Sequence, residues 1–100
     1  MKRKYKDSPL FKKKLNKLKS KELFNVMNKI EEILIINDLA HYKNLKYDLK
    51  RYKRVHVNDS YIILFFGDDG RVNFVDYEHH DKIYNHSKKQ LKKYENLKFE

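Results

Sequence analysis

The stretch Lys50-Arg51-Tyr52-Lys53-Arg54-Val55-His56-Val57, followed closely by Tyr61-Ile62-Ile63-Leu64-Phe65-Phe66, decides how the chain is read. Side chains in a strand alternate sides with a period of two. The spacing predicts a basic strand with Val55 and Val57 on one face. Tyr52, Arg54 and His56 share the other face and present a ring, a cation and an imidazole outward. Asn58-Asp59 supplies a tight turn, and Asp68-Asp69-Gly70 a second one. Strands are thus expected near 50–57, 60–67 and 71–77, as consecutive antiparallel hairpins. The middle strand is apolar on both faces, with Tyr61, Ile63 and Phe65 against Ile62, Leu64 and Phe66. Such a strand belongs at the centre of a sheet, covered on both sides.

The cover lies upstream. Ser8-Pro9 offers a capping hydroxyl followed by proline at the first helical position. Leu10, Phe11, Leu15 and Leu18 then form one apolar stripe, ringed by Lys12, Lys13, Lys14, Lys17 and Lys19 as a solvated face. Ser20 reads as the cap of a second helix. Its Leu23, Val26, Met27, Ile30, Ile33 and Leu34 repeat at helical spacing, and Phe24 and Met27 are assigned to core packing. The two helices nearly abut, which predicts an antiparallel helix hairpin. Residues 3–7 read as a short polar edge strand and 37–49 as a connecting segment. Ser87 with Gln90 fits a capping box, so a terminal helix is expected over 87–98 with Leu91, Tyr94 and Leu97 inward. The expected fold class is α+β: an N-terminal strand and helix hairpin packed on a small antiparallel sheet, with a C-terminal helix. Residues 1–100 are expected to form a single domain.

Lys and Arg number 24 against 14 Asp and Glu, a net charge of +10. A field of that size attracts polyanions, or it belongs to a soluble lysine-rich surface. Eight Tyr and six Phe lie among the cations. Rings between cations suit single-stranded RNA, whose phosphates need charge and whose bases need stacking partners; they suit a core equally. The absence of Cys excludes disulfides, thiolate zinc sites and a Cys nucleophile. No apolar run reaches about 18 residues, so no membrane span is expected. Met1-Lys2-Arg3-Lys4 lacks the apolar segment of a secretory signal, and the expected location is cytoplasmic.

A second cluster, Glu78-His79-His80-Asp81-Lys82-Ile83-Tyr84, follows the third strand. Function is expected where it meets the basic strand. Arg54 can hold two phosphate oxygens at once, or form a surface ion pair. His56, two residues on, can exchange protons at cellular pH or hydrogen-bond a base. His79 and His80 are placed in an irregular segment after the strand. Adjacent residues of an extended chain face opposite ways, so one of the two is expected in the site. Lys46, Lys50, Arg51 and Lys53 would bind and orient an RNA backbone. His79, His80, Asp81 and His86 lack the two-histidine helical spacing of a zinc site, so no metal and no cofactor is expected.

The order of elements and the two clusters resemble the RelE/ParE toxin superfamily, and most of all its archaeal RelE-like members. Tyr52-Lys53-Arg54-Val55-His56-Val57 lies where that family has its basic strand. Ser60-Tyr61-Ile62-Ile63-Leu64-Phe65 lies at its following strand. Val72-Asn73-Phe74-Val75-Asp76-Tyr77-Glu78-His79-His80-Asp81-Lys82-Ile83-Tyr84 resembles its final strand and "HR-x-x-(V/I)-Y" segment. The resemblance covers roughly Tyr5 to Tyr84. It implies a toxin of a type II toxin–antitoxin system that cleaves mRNA in the ribosomal A site. An acidic RelB-like antitoxin, the ribosome and mRNA are the implied partners, with no membrane, and with DNA met only through the antitoxin complex. Two positions depart from the pattern: Ile62 stands where many bacterial members have a catalytic Arg, and His80 stands at the Arg of "HR". His79 takes the family His position and is the first choice for acid or base, with His80 second. Tyr84 takes the family Tyr position, to stack a base, donate its hydroxyl, or anchor the core. The implied chemistry is metal-independent attack by the substrate's own 2′-hydroxyl. Two alternatives share these features: a ParE-like toxin that poisons gyrase, and an RNA- or ribosome-binding protein, or degenerate toxin, without catalysis.

Overall fold

The structure is a computed structural model that describes residues 2–99; Met1 and Glu100 lie outside the described residues. In chain order the elements are β1 (Lys4–Asp7), α1 (Pro9–Leu15), α2 (Ser20–Ile35), β2 (Lys53–His56), β3 (Tyr61–Gly67), β4 (Arg71–His79), α3 (His80–Asn85) and α4 (Ser87–Glu95). Single 3-10 turns at Leu39–His41 and Tyr47–Leu49 break the long connection after α2. The four strands form one sheet in the order β1-β4-β3-β2. The meander β2-β3-β4 is antiparallel, and β1 adds to its edge in parallel. The sheet is therefore mixed rather than purely antiparallel, because the chain crosses the layer through α1 and α2 before returning to the strand that β1 pairs with.

Both faces of the sheet are covered. Phe11 of α1 and Val26, Ile30, Ile33 and Leu34 of α2 pack with Ile63, Phe65, Val72, Phe74 and Tyr77 on the first face. Leu45, Leu49, Tyr52, Ile83 and Tyr94 pack with Ile62, Leu64 and Val75 on the second. Central β3 thus buries both of its apolar sets, as its composition requires. The β2–β3 turn is held by the Asn58 side chain, whose Oδ1 accepts from the amides of Ser60 and Tyr61 at 2.8 Å each. At the other turn Asp68 Oδ1 accepts from Gly70 at 2.8 Å and Arg71 at 3.0 Å. Gly67 precedes it, and a Cβ there would sit 2.2 Å from the Arg71 carbonyl oxygen, so only glycine fits.

Ser8 caps α1 as expected: its Oγ accepts from Phe11 N at 2.9 Å and donates to the Val75 carbonyl at 2.6 Å. β1 pairs only with residues 71–74 of β4, so α1 lies along the edge that β1 leaves open. The expected single stripe is divided there: Phe11 enters the first cluster and Leu10 the second. Lys14 reaches from α1 to Asp76 at 2.6 Å and Glu78 at 2.8 Å. α2 is fixed by Tyr77 and Tyr42, whose hydroxyls donate to Glu22 at 2.8 Å and Glu32 at 2.6 Å. Arg3 is buried at its C-terminal end and donates to the carbonyls of Ile33, Ile36 and Asn37. Those carbonyls have no partner within the helix, so the guanidinium completes it and meets its negative dipole end.

Several expectations are corrected. Ser20 does not cap α2; Lys19 holds that position and Ser20 is the first helical residue. Phe24 and Met27 are not core residues but 64% and 49% exposed, because α2 offers the sheet only the narrower stripe of Val26, Ile30, Ile33 and Leu34. Ser87 does not form a capping box; its Oγ bonds Asp48 instead, and Gln90 is buried. The terminal helix ends at Glu95, with Leu97 in the tail beyond it. The basic strand begins at Lys53 rather than 50, because the 3-10 turn at Tyr47–Leu49 and the turn after it occupy residues 50–51. Tyr52 is consequently not an outward ring: it is 2% exposed and packs edge-on against Phe66 and Tyr94.

Candidate functional site

β2 places Arg54 and His56 on the second face of the sheet, while Val55 and Val57 turn to the first cluster. Arg54 Nη1 and His56 Nδ1 are 3.4 Å apart. β4 runs on to His79, where the chain turns into α3 rather than an irregular loop. The His80 amide donates to the Ser60 carbonyl at 2.9 Å and so fastens the start of α3 to the β2–β3 turn. That change from strand to helix overturns the expectation that the two histidines diverge. Their rings stack at 4.9 Å with 28° between planes. His80 lies 6.2 Å from His56 and 6.3 Å from Tyr84 between ring centroids. Tyr61 closes the group on the far side of His79 at 5.4 Å. Arg54, His56, His79, His80 and Tyr84, far apart along the chain, thus form one continuous group.

The hydrogen bonds define the histidine tautomers. His79 Nδ1 accepts from the Asp81 amide at 3.2 Å and caps α3, which leaves the proton on Nε2. His80 Nδ1 lies 2.9 Å from Asp81 Oδ1, so its Nδ1–H points to the carboxylate and Nε2 is the atom left to exchange a proton. Sequence reasoning did not give Asp81 this orienting role. Burial, then the neighbouring Arg54 and His80 charges, hold the His56 imidazole below its ordinary pKa. His56 is therefore neutral at cellular pH and can take a proton.

Beside this group is an open cavity of about 470 Å³, lined among others by Lys43, Lys46, Tyr47, Arg54 and Tyr84. Lys46 of the expected RNA-binding set is therefore in the site. Lys50 is exposed next to it, at the end of the 3-10 turn. Arg51 and Lys53 line a different depression, with Phe66 and Arg71. Arg51 sits over the Phe66 ring at 4.4 Å. The Lys53 ammonium donates to the Tyr42 carbonyl at 3.0 Å and to Asn44 at 2.9 Å. Ile62 is fully buried in the second cluster, so it presents no side chain to a substrate. His79, His80 and Asp81 offer ligand atoms within 4.8 Å of one another, and His86 does not join them. Both imidazole Nδ1 atoms engage Asp81.

No known protein-family model matches the chain. It is 42% identical over 77 residues to "Putative toxin RelE4" of Methanocaldococcus jannaschii, covering 75% of this chain and 80% of that one. The chain belongs to the RelE family of toxins. The RelE fold is evident in solved structures too. The toxin–antitoxin complex RelBE2 of Mycobacterium tuberculosis contains a chain that superposes with a TM-score of 0.61 at 16% identity, covering 79% of this chain and 99% of that one. YafQ of Escherichia coli superposes with a TM-score of 0.61 at 22% identity, covering 82% and 98%. At those identities the likeness establishes the α+β fold, and it matches the strand, helix pair and meander read from the sequence. Among the described residues of this RelE-type chain, no helix is long and apolar enough to cross a membrane.

Proposed function

We propose that this RelE-family chain is a ribosome-dependent endoribonuclease that cuts mRNA in the A site, restrained by an acidic RelB-like antitoxin. The observation that carries the reading is the joining of Arg54, His56, His80, His79 and Tyr84 beside a cavity lined by Lys43 and Lys46. RelE-type toxins are ribonucleases, and the antitoxin complex of the M. tuberculosis relative makes an antitoxin the natural partner for a chain of charge +10.

The chemistry follows from the side chains. Neutral His56 removes the proton from the 2′-hydroxyl, whose oxygen attacks the adjacent phosphorus. Arg54 neutralises the charge that builds on the nonbridging oxygens. The bond to the 5′-oxygen breaks, leaving a 2′,3′-cyclic phosphate, and that oxygen is protonated by His80, whose ring Asp81 orients. His79 buttresses His80 through the stacked contact and is the alternative donor through its Nε2–H. Tyr84 stacks on the base beside the cut. Acid–base help of this type is worth about 10²–10⁴-fold in rate. Lys46 binds the backbone, with Lys50, Arg51 and Lys53 adding to the attracting field. No step requires a metal.

Primer extension on a defined mRNA in a translation reaction tests this. Cuts within the reading frame that require ribosomes, and that vanish in Arg54→Ala, His80→Ala and Tyr84→Ala, are the expected result. Toxicity without cuts would favour a ParE-like gyrase poison. Absence of both would leave a binding protein without catalysis.

A further inference from the structure

Tyr47 is the one described non-glycine residue with a positive φ, at 56°. A Cβ makes that conformation unfavourable, and such strain persists where surrounding structure enforces it. Here the enforcement is visible. Leu49, two residues on, is buried in the second cluster, and Asp48 accepts from Ser87 of α4 at 3.2 Å. The Leu49 amide donates to Lys46 and the Lys50 amide to Tyr47, which closes the turn tightly around it. The ring that this turn holds out is 85% exposed, the most exposed of the large hydrophobic side chains described, so nothing in the chain repays the strain by packing. It lines the same cavity as Lys43, Lys46, Arg54 and Tyr84.

We propose that Tyr47 is a nucleobase-stacking platform, which fixes a base of single-stranded RNA next to the phosphate that Arg54 holds. This rests on the endoribonuclease reading and adds to it a second aromatic side chain lining the cavity beside Tyr84, with a role in positioning rather than in proton transfer. Every base has a stacking face, so the platform grips mRNA of any sequence; Lys43 and Lys46 meet the phosphates on either side of the stacked nucleotide. A site of this form selects an unpaired, splayed nucleotide and rejects a duplex, whose bases cannot reach the ring. Tyr47 is a positioning residue, and its removal acts on substrate capture more than on the bond-breaking step.

The test compares wild type with Tyr47→Phe, Tyr47→Ala and Tyr47→Gly in three measurements. In cutting by programmed ribosomes, Tyr47→Phe behaves as wild type. Tyr47→Ala and Tyr47→Gly need roughly 10-fold more ribosomes for half-maximal rate, with the maximal rate little changed. In thermal unfolding, Tyr47→Gly is at least as stable as wild type, since glycine adopts the positive φ freely. In the third, the protein binds an uncleavable 2′-O-methyl RNA carrying 2-aminopurine, and quenching of the base is lost in Tyr47→Ala. Unchanged half-saturation in Tyr47→Ala overturns the proposal, as does a destabilised Tyr47→Gly, which would mean that the ring serves packing. If wild type cuts nothing on ribosomes but quenches the probe through Tyr47, the platform stands and the nuclease reading falls. If it neither cuts nor quenches, both fall.

Discussion

At the residue scale the decisive pairing is Arg54 with His56. A strand forces residues two apart onto one face, so a guanidinium beside an imidazole was legible from the sequence once residues 53–56 were read as β. What the sequence could not give was the sign of their interaction. Burial and then Arg54 and His80 disfavour the imidazolium, so His56 titrates below the ordinary value near 6.5 and remains a base at neutral pH. The rate of cutting should accordingly rise with pH and level off once His56 is neutral, with its acid midpoint below about 6.5. Arg54→Gln removes a cation that opposes protonation, so the midpoint must move upward while the plateau falls. Single-turnover cleavage on programmed ribosomes from mildly acid to neutral pH measures both. A midpoint that stays put in Arg54→Gln, with the plateau reduced, would show that His56 is not the titrating base. His79 and His80 were legible as residues but not as a pair. The switch from strand to helix between them, which makes their rings stack, depends on the Ser60 carbonyl and the Asp81 amide, both tertiary or local bonds without a sequence pattern.

At the scale of elements, local signals succeeded where they were redundant. Ser8-Pro9 combined a hydroxyl cap with proline at the right position, and α1 starts there. Ser20 offered a hydroxyl without a second constraint, and it does not cap; Ser87 had Gln90 as a second signal, and tertiary packing overrode both, with Ser87 bonded to the carboxylate of Asp48 and Gln90 buried. The placement of α1 along the β4 edge was not legible, because it depends on β1 stopping at Asp7 and on a lysine that composition assigns to solvent. Lys14 bolts the helix to the edge through fully buried Asp76, which also accepts from the Tyr94 hydroxyl at 2.6 Å. Burial opposes the Lys14 charge, and Asp76 with Glu78 outweighs it, so Lys14 stays protonated above the ordinary lysine range. Burial likewise opposes the Glu78 carboxylate, and Lys14, the His79 amide and Lys82 outweigh it, bringing Glu78 to about 2. Stability from Glu78 is thus full above its unfolded value near 4.5 and is lost as pH falls toward 2; that from Lys14 is full below 10.5 and is lost as pH rises beyond it. Lys14→Met strands the Asp76 charge and should cost about 3–5 kcal/mol in urea unfolding, of which Lys14→Met/Asp76→Asn restores a large part. A loss under about 1 kcal/mol in the single variant would show that α1 holds to the edge through Phe11 and Leu10 alone.

For the whole molecule, the covered sheet leaves function to one end. The turn between β2 and β3, the junction of β4 with α3 and the Tyr47 turn converge there, and the second-face cluster is buried and apolar. Charge acts at this scale as well: an excess of ten cations draws the chain toward polyanions. Each RNA phosphate neutralised releases counterions, so association weakens with salt at a slope of about −0.7 per contact on a single strand. Three cavity cations, Lys43, Lys46 and Arg54, set an expected contribution from mRNA of about −2 in that slope. The four lysines and arginines that the sequence assigned to RNA are therefore not equivalent. Lys46→Gln should lower the slope for binding to programmed ribosomes by close to one contact. Lys53→Gln should leave it unchanged, because its ammonium is already committed to Tyr42 and Asn44 inside the fold. Titrations of labelled protein against ribosomes at several salt concentrations measure the slopes, and equal losses in the two variants would place the RNA path across β2 rather than through the cavity.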